Sequence, residues 1–184
     1  MCRSSMNNRP KSHDPEIIAS VVEHLTPNVL KWMQAVDPDS ETEDFLDTLT
    51  EAISSPFTDD DGYKLAKYFD DLDPDEHLVE ILSEAGSLRY DATKKACEKW
   101  AAENNVQPIP EGTKVRRKGH ADYGIGEVID SYPDARQCVC FPDKGHGVQR
   151  GGQLTHGSIV AVEELEVVIV EDVTKINRVS ANNQ

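Results

Sequence analysis

The spacing of apolar residues changes once along this chain, from three-and-four to two. Ile17, Ile18, Val21, Val22 and Leu25 form one stripe, and Val29, Leu30, Trp32, Met33 and Val36 continue it beyond Pro27. Phe45, Leu46, Leu49 and Ile53 follow, then Tyr63, Leu65, Ala66 and Phe69, then Leu78, Val79, Ile81 and Leu82. Each set falls on one face of an amphipathic helix. A last helix is expected over 88–103, with Trp100 and Ala101 on its inner side. Helix starts are marked by Asp14-Pro15, Thr26-Pro27 and Asp73-Pro74, where a capping side chain precedes a residue whose fixed φ and missing N–H suit the first turn. Ser40 with Glu43 and Asp73 with Glu76 have capping-box spacing, and Gly86 is placed to end a helix. Helices this short do not hold alone. The reading is therefore an acidic all-α bundle over 14–107, behind a polar leader, 1–13, expected to be disordered.

Asn104, Asn105, Pro108 and Pro110 break the helical pattern, and alternation takes over. Strands are expected over 113–119, 124–130, 137–141, 158–162 and 166–170, with one helical turn at 163–165. Five short strands in so few residues favour a closed barrel, because closure removes exposed edges. The fold class expected is α+β: an N-terminal helical bundle, then a small five-stranded β-barrel over 111–170 and a tail over 171–184. Val115, Val128, Val139, Phe141 and Val162 are its expected core.

The second region also carries a resemblance. Gly112 and Val115, then Tyr123, Gly124, Gly126 and Val128, then Val139 and Phe141, then Val162-Glu163-Glu164-Leu165 resemble the SH3-like barrels of the KOW and Tudor type. In particular they resemble the small barrel that ends superfamily-one repair helicases. The resemblance implies a binding module, since such barrels bind RNA polymerase, nucleic acid, peptides or methylated side chains. It is interrupted by a long glycine-rich insertion over 143–157. In the helical half, 61–66 and 73–82 resemble uncharacterised bacteriophage and prophage proteins, which implies an origin in a mobile element and assigns no activity.

Charge sharpens the division. The 184 residues carry a net charge of −15. Residues 1–108 hold 10 Lys and Arg against 23 Asp and Glu, whereas 109–184 hold 9 against 11. Within 37–84 there are 17 acids and two lysines. This excludes general binding to nucleic-acid phosphates and favours basic partner surfaces. Asp59, Asp60, Asp61, Asp70 and Asp71 are the acids chosen as a docking face, with capping and a solvated surface as the plainer account. Calcium does not fit: with Gly62 at the loop glycine of an EF-hand, Phe57 and Tyr68 occupy the positions that need carboxylates. The one basic cluster is Lys114, Arg116, Arg117, Lys118 and His120, joined by Lys144, His146 and Arg150 from the insertion. It suits phosphates or an acidic partner, or protects a strand edge by charge. Tyr123 and Tyr132 are positioned to stack on a ligand or to pack.

Cys138 and Cys140 share one face of their strand, so with Val139 and Phe141 inward both thiols point out, toward His146 or His156. Two cysteines and two histidines can hold zinc, but paired zinc cysteines are usually two to four residues apart. Nor does a positive group adjoin either thiol to make it a nucleophile. No cofactor and no metal are therefore expected. No apolar run is long enough to span a membrane, no apolar stretch follows the basic N-terminus as in a signal peptide, and four cysteines suggest no disulfide framework, so a cytoplasmic protein is expected. The function expected is non-enzymatic: docking on nucleic-acid-handling machinery, in its sharpest form as a phage-encoded inhibitor of a host nuclease or defence complex. The partner is then a protein with a basic surface, with direct nucleic-acid binding disfavoured. Two alternatives stand beside it: an accessory factor whose barrel contacts RNA polymerase or nucleic acid, and a small zinc- or thiol-dependent enzyme.

Overall fold

A computed structural model describes residues 8–38, 42–56, 60–144 and 157–169. The chain divides into two compact units, Met1–Trp100 and Ala101–Gln184, taken here one at a time. Its class is α+β, with helices in the N-terminal half and an antiparallel five-stranded sheet in the C-terminal half.

In the first unit α1 runs over Pro15–Val36, α2 over Thr42–Ser54, α3 over Gly62–Ala66, α4 over Glu76–Leu82 and α5 over Ala85–Glu103, with a 3-10 segment over Lys67–Leu72. The expected stripes are the core. Leu25, Val29, Leu49, Ile53, Leu65, Leu78 and Leu82 are fully buried, and the Phe45 and Phe69 rings meet at 4.8 Å. Four local expectations are corrected. Thr26-Pro27 starts no helix, because α1 runs through it. Pro27 and Glu23 lie on the exposed face, so the carbonyl left without an intrahelical donor is open to water while the buried face continues unbroken. Asp73 starts no helix: it closes the preceding 3-10 segment in a left-handed conformation (φ 52°), and Asp75 is the N-cap of α4. Gly86 does not end α4 but lies in the first turn of α5. Tyr63, placed on a stripe by its spacing, is exposed instead.

Tertiary contacts select these caps. Asp75 Oδ1 accepts from the Leu78 amide at 3.0 Å and from the Trp32 indole at 2.8 Å, so one carboxylate caps α4 and ties it to α1. Asp61 caps α3, accepting from the Tyr63 and Lys64 amides. Gly62 lets α3 approach α4: a Cβ there would meet Ser83 Oγ and come within 2.5 Å of the Val79 carbonyl. Of the leader expected as disordered, residues 8–13 pack along α5. Arg9 lies over the Trp100 ring, Cys97 Sγ donates to the Pro10 carbonyl and Arg89 Nη1 to the Ser12 carbonyl.

In the second unit the strands are β1 Lys114–Arg117, β2 Gly126–Ser131, β3 Arg136–Cys140, β4 Ser158–Ala161 and β5 Leu165–Val167. Their order is β4-β3-β2-β1-β5, each neighbour antiparallel, with an irregularity in β2 between Val128 and Asp130. Val115, Val128, Val139 and Phe141 are buried as expected, joined by Val160 and Leu165. Val162, expected in the core, is only half-buried and begins a 3-10 turn over Val162–Glu164. Gly126 admits Phe141, since a Cβ there would lie 2.6 Å from the ring. Among the described residues no helix is long and apolar enough to cross a membrane.

Candidate functional site

The chosen acids separate into different roles. Asp59 lies outside the described residues. Asp60 is not an exposed docking acid: it faces Arg89, whose side chain is only 6% exposed, and accepts from its Nε at 2.8 Å and its Nη2 at 2.6 Å. Arg89 Nη2 also donates to the Ile53 carbonyl at 2.6 Å. A buried guanidinium requires a carboxylate and further acceptors, and Asp60 is that carboxylate. Asp61 is spent on its cap. Asp70 and Asp71 are exposed on the 3-10 segment and make no ion pair among the described residues.

Asp71 meets an acid that was not singled out from sequence. With Asp44, from the first turn of α2, it rims a shallow hollow of about 210 Å³ backed by Phe45, Tyr68, Phe69 and Leu72. Asp44 and Asp71 thus share one surface hollow, and Asp70, next to Asp71 in sequence, is exposed as well. Asp44 was legible as a first-turn acid; its neighbour across the fold was not. Asp75, in the same unit, has its carboxyl held below the usual range, first by the Leu78 amide and also by the Trp32 indole.

The basic cluster is largely neutralised. Lys114 pairs with Glu127 across β1 and β2. Arg117 reaches Glu164 at 2.9 Å, Lys118 Nζ donates to the Glu163 carbonyl at 2.7 Å, and Lys144 pairs with Asp122. Arg116 is half-buried on β1 and makes no ion pair among the described residues. His146, Arg150 and His156 lie outside the described residues.

The cluster's centre is Tyr123. Its ring stands edge-on to Phe141 at 5.2 Å and 89°, with His120 at 5.4 Å. Two cations lie over it: Lys144 Nζ at 4.7 Å and the Arg117 guanidinium at 5.4 Å from the ring centroid. Gly124, at φ 66°, turns the chain here, and Asp143 packs where its Cβ would be. Asp122 is held below the usual carboxyl range and Lys144 above the usual ammonium range, each chiefly by their mutual hydrogen bond.

The thiols of β3 lie on the face opposite Val139, as the alternation predicts, but Cys138 and Cys140 are only 9% and 6% exposed, so that face is covered and the solvent exposure expected of them is corrected. Burial, then the neighbouring Asp130 and Cys140, push the Cys138 thiol up, away from the thiolate a nucleophile or metal ligand needs. Among the described residues no group of three His, Cys, Asp or Glu is arranged to hold a metal ion. Comparison of the chain with protein-family models, curated proteins and solved structures finds no match.

Proposed function

We propose that this chain is a non-catalytic interaction protein that docks, through the acidic face of its helical unit, on a basic protein surface of nucleic-acid-handling machinery. One observation carries the reading: Asp44, Asp70 and Asp71 stand exposed and make no ion pair among the described residues, while Lys114, Arg117 and Lys144 are each matched to an acid. Uncompensated exposed charge attracts a partner from a distance and sets its orientation, whereas paired charge does neither. Inhibition of a host nuclease or defence complex is the sharpest form, because such enzymes present basic surfaces to their substrates.

We further propose that the second unit is an SH3-like barrel serving as a secondary contact. The five-stranded antiparallel order, the return of β5 onto β1 and the 3-10 turn between β4 and β5 support this reading. The carboxylates of Glu127, Glu164 and Asp122 beside its cations argue against the accessory-factor alternative, since their negative charge repels a phosphate. Burial of the thiols argues against the zinc- or thiol-enzyme alternative. The test compares two variants of the full chain in affinity capture at low and high salt. Asp44→Lys with Asp70→Lys and Asp71→Lys is expected to lose a nucleic-acid-binding protein that the natural chain retains, and salt is expected to weaken that retention. The reading fails if the triple variant retains the partner and Arg116→Glu with Arg117→Glu releases it.

A further inference from the structure

Tyr123 and Asp122 together have the composition of a site that recognises a cation. An aromatic face attracts an ammonium or guanidinium through its quadrupole, and a carboxylate beside it supplies the countercharge. Phe141, fully buried, stands edge-on behind the half-buried ring, and Asp122 beside it is exposed. The site already holds a cation of the right kind. Lys144 Nζ lies over the ring and on the Asp122 carboxylate at once.

That occupant is built to leave. Its side chain is 35% exposed, Asp122 is 64% exposed, and it comes from the end of a three-residue 3-10 turn over Pro142–Lys144. Surface pairs of this kind contribute little, and a lysine stem is flexible. Arg117, the second cation on the ring, lies on β1 and is held by Glu164. We propose that Asp122 and the Tyr123 ring bind a lysine or arginine side chain of a partner protein, and that Lys144 is the resident occupant this side chain displaces. The inference rests on the reading above that the partner is basic, and extends it to the second unit. An anionic ligand fits less well, because Asp122, Asp143 and Glu164 stand around the ring.

The test needs no natural partner. The full chain is titrated with N-acetyl-arginine amide while the amide resonances of 120–124 are followed by NMR. Lys144→Ala is expected to bind about tenfold more tightly than the natural chain, with Lys144→Gln as a second emptied site that keeps the stem. Adding Asp122→Asn is expected to abolish the gain. Equal affinity of the natural chain and both Lys144 variants overturns the proposal, as does indifference to Asp122→Asn. So does a stronger response of the same amides to inorganic phosphate. Tighter binding of the probe by the emptied site, together with an unaffected partner capture by the acidic triple variant, supports this site and overturns the acidic-face reading alone.

Discussion

The two units treat charge in opposite ways. In the sheet unit three cations are answered nearby, Lys114 by Glu127 on the next strand, Arg117 by Glu164 and Lys144 by Asp122, while Arg116 makes no ion pair among the described residues. In the helical unit a buried cation, Arg89, is answered by a carboxylate. Arg89 is enclosed by Asp60, Ile53 and Ser12, while Asp44, Asp70 and Asp71 remain in solvent and make no ion pair among the described residues. Asp60 is therefore held by the fold, whereas Asp44, Asp70 and Asp71 are exposed and make no ion pair among the described residues. On the sheet unit Lys114, Arg117 and Lys144 each meet a carboxylate at the surface. Sequence counts of Lys and Arg do not reveal this, because a neutralised cluster and an open one have the same composition.

The sharpest way to break the comparison is at the buried pair. Asp60→Ala leaves the Arg89 guanidinium enclosed without its carboxylate, and about 3–5 kcal/mol of stability should be lost. Chemical denaturation of the full chain, followed by helix signal, measures it. A loss near that of a surface pair would mean that Arg89 is not buried in solution.

A smaller effect is expected in the sheet unit's core, which rests on few residues. Gly126→Ala places a methyl against Phe141 and Val139 and should cost about 1–3 kcal/mol. Loss of the resolved methyl resonances of Val139 alongside the lower midpoint would locate the strain there. An unchanged midpoint would show that β2 and the Phe141 ring are further apart than described.

The pH dependence of the helical unit tests the Trp32–Asp75 tie. Folding holds the Asp75 carboxyl below the ordinary carboxyl range, chiefly through the Leu78 amide, so it contributes stability at pH above that range. That contribution is lost as pH falls through its lower folded value. Asp75→Ala should therefore reduce stability at neutral pH and flatten the decline below about pH 4. Trp32 fluorescence during acid titration reads both, and identical acid limbs for the two proteins would remove Asp75 from the account.

The smallest effect should come from the sheet unit's surface. Lys114→Ala breaks a pair whose members are 46% and 42% exposed, and should change stability by less than about 1 kcal/mol. A larger loss would show that these pairs hold the strands together, and the contrast between the units would then be false.

Much of the architecture was legible because it is written in local periodicity. The stripe from Ile17 to Met33 and the alternation around Val139 each specify an element and its buried face without reference to the rest of the chain. Where two local signals competed, the prediction failed. Thr26-Pro27 reads as a start and Asp73-Pro74 as a cap, yet the buried stripe carried α1 through the first, and the Trp32 indole accompanied a cap at Asp75 in the second. The candidate site was legible only as an inventory. Asp60 and Asp71 look alike in sequence, and so do Arg116 and Arg117.

By itself, then, the sequence determined the order of helices and strands, the side of each that is buried, and the excess of acid in one half, because those properties depend on residues three or four apart or alternate along a strand. The tertiary structure decided which charges are free to act. Asp60 is claimed by Arg89, 29 residues away, Asp75 by Trp32, 43 away, and Arg117 by Glu164, 47 away. Pairing at such separations exists only once the core has closed, since electrostatic attraction between solvated side chains is too weak to bring them together and burial of the apolar faces is what does so.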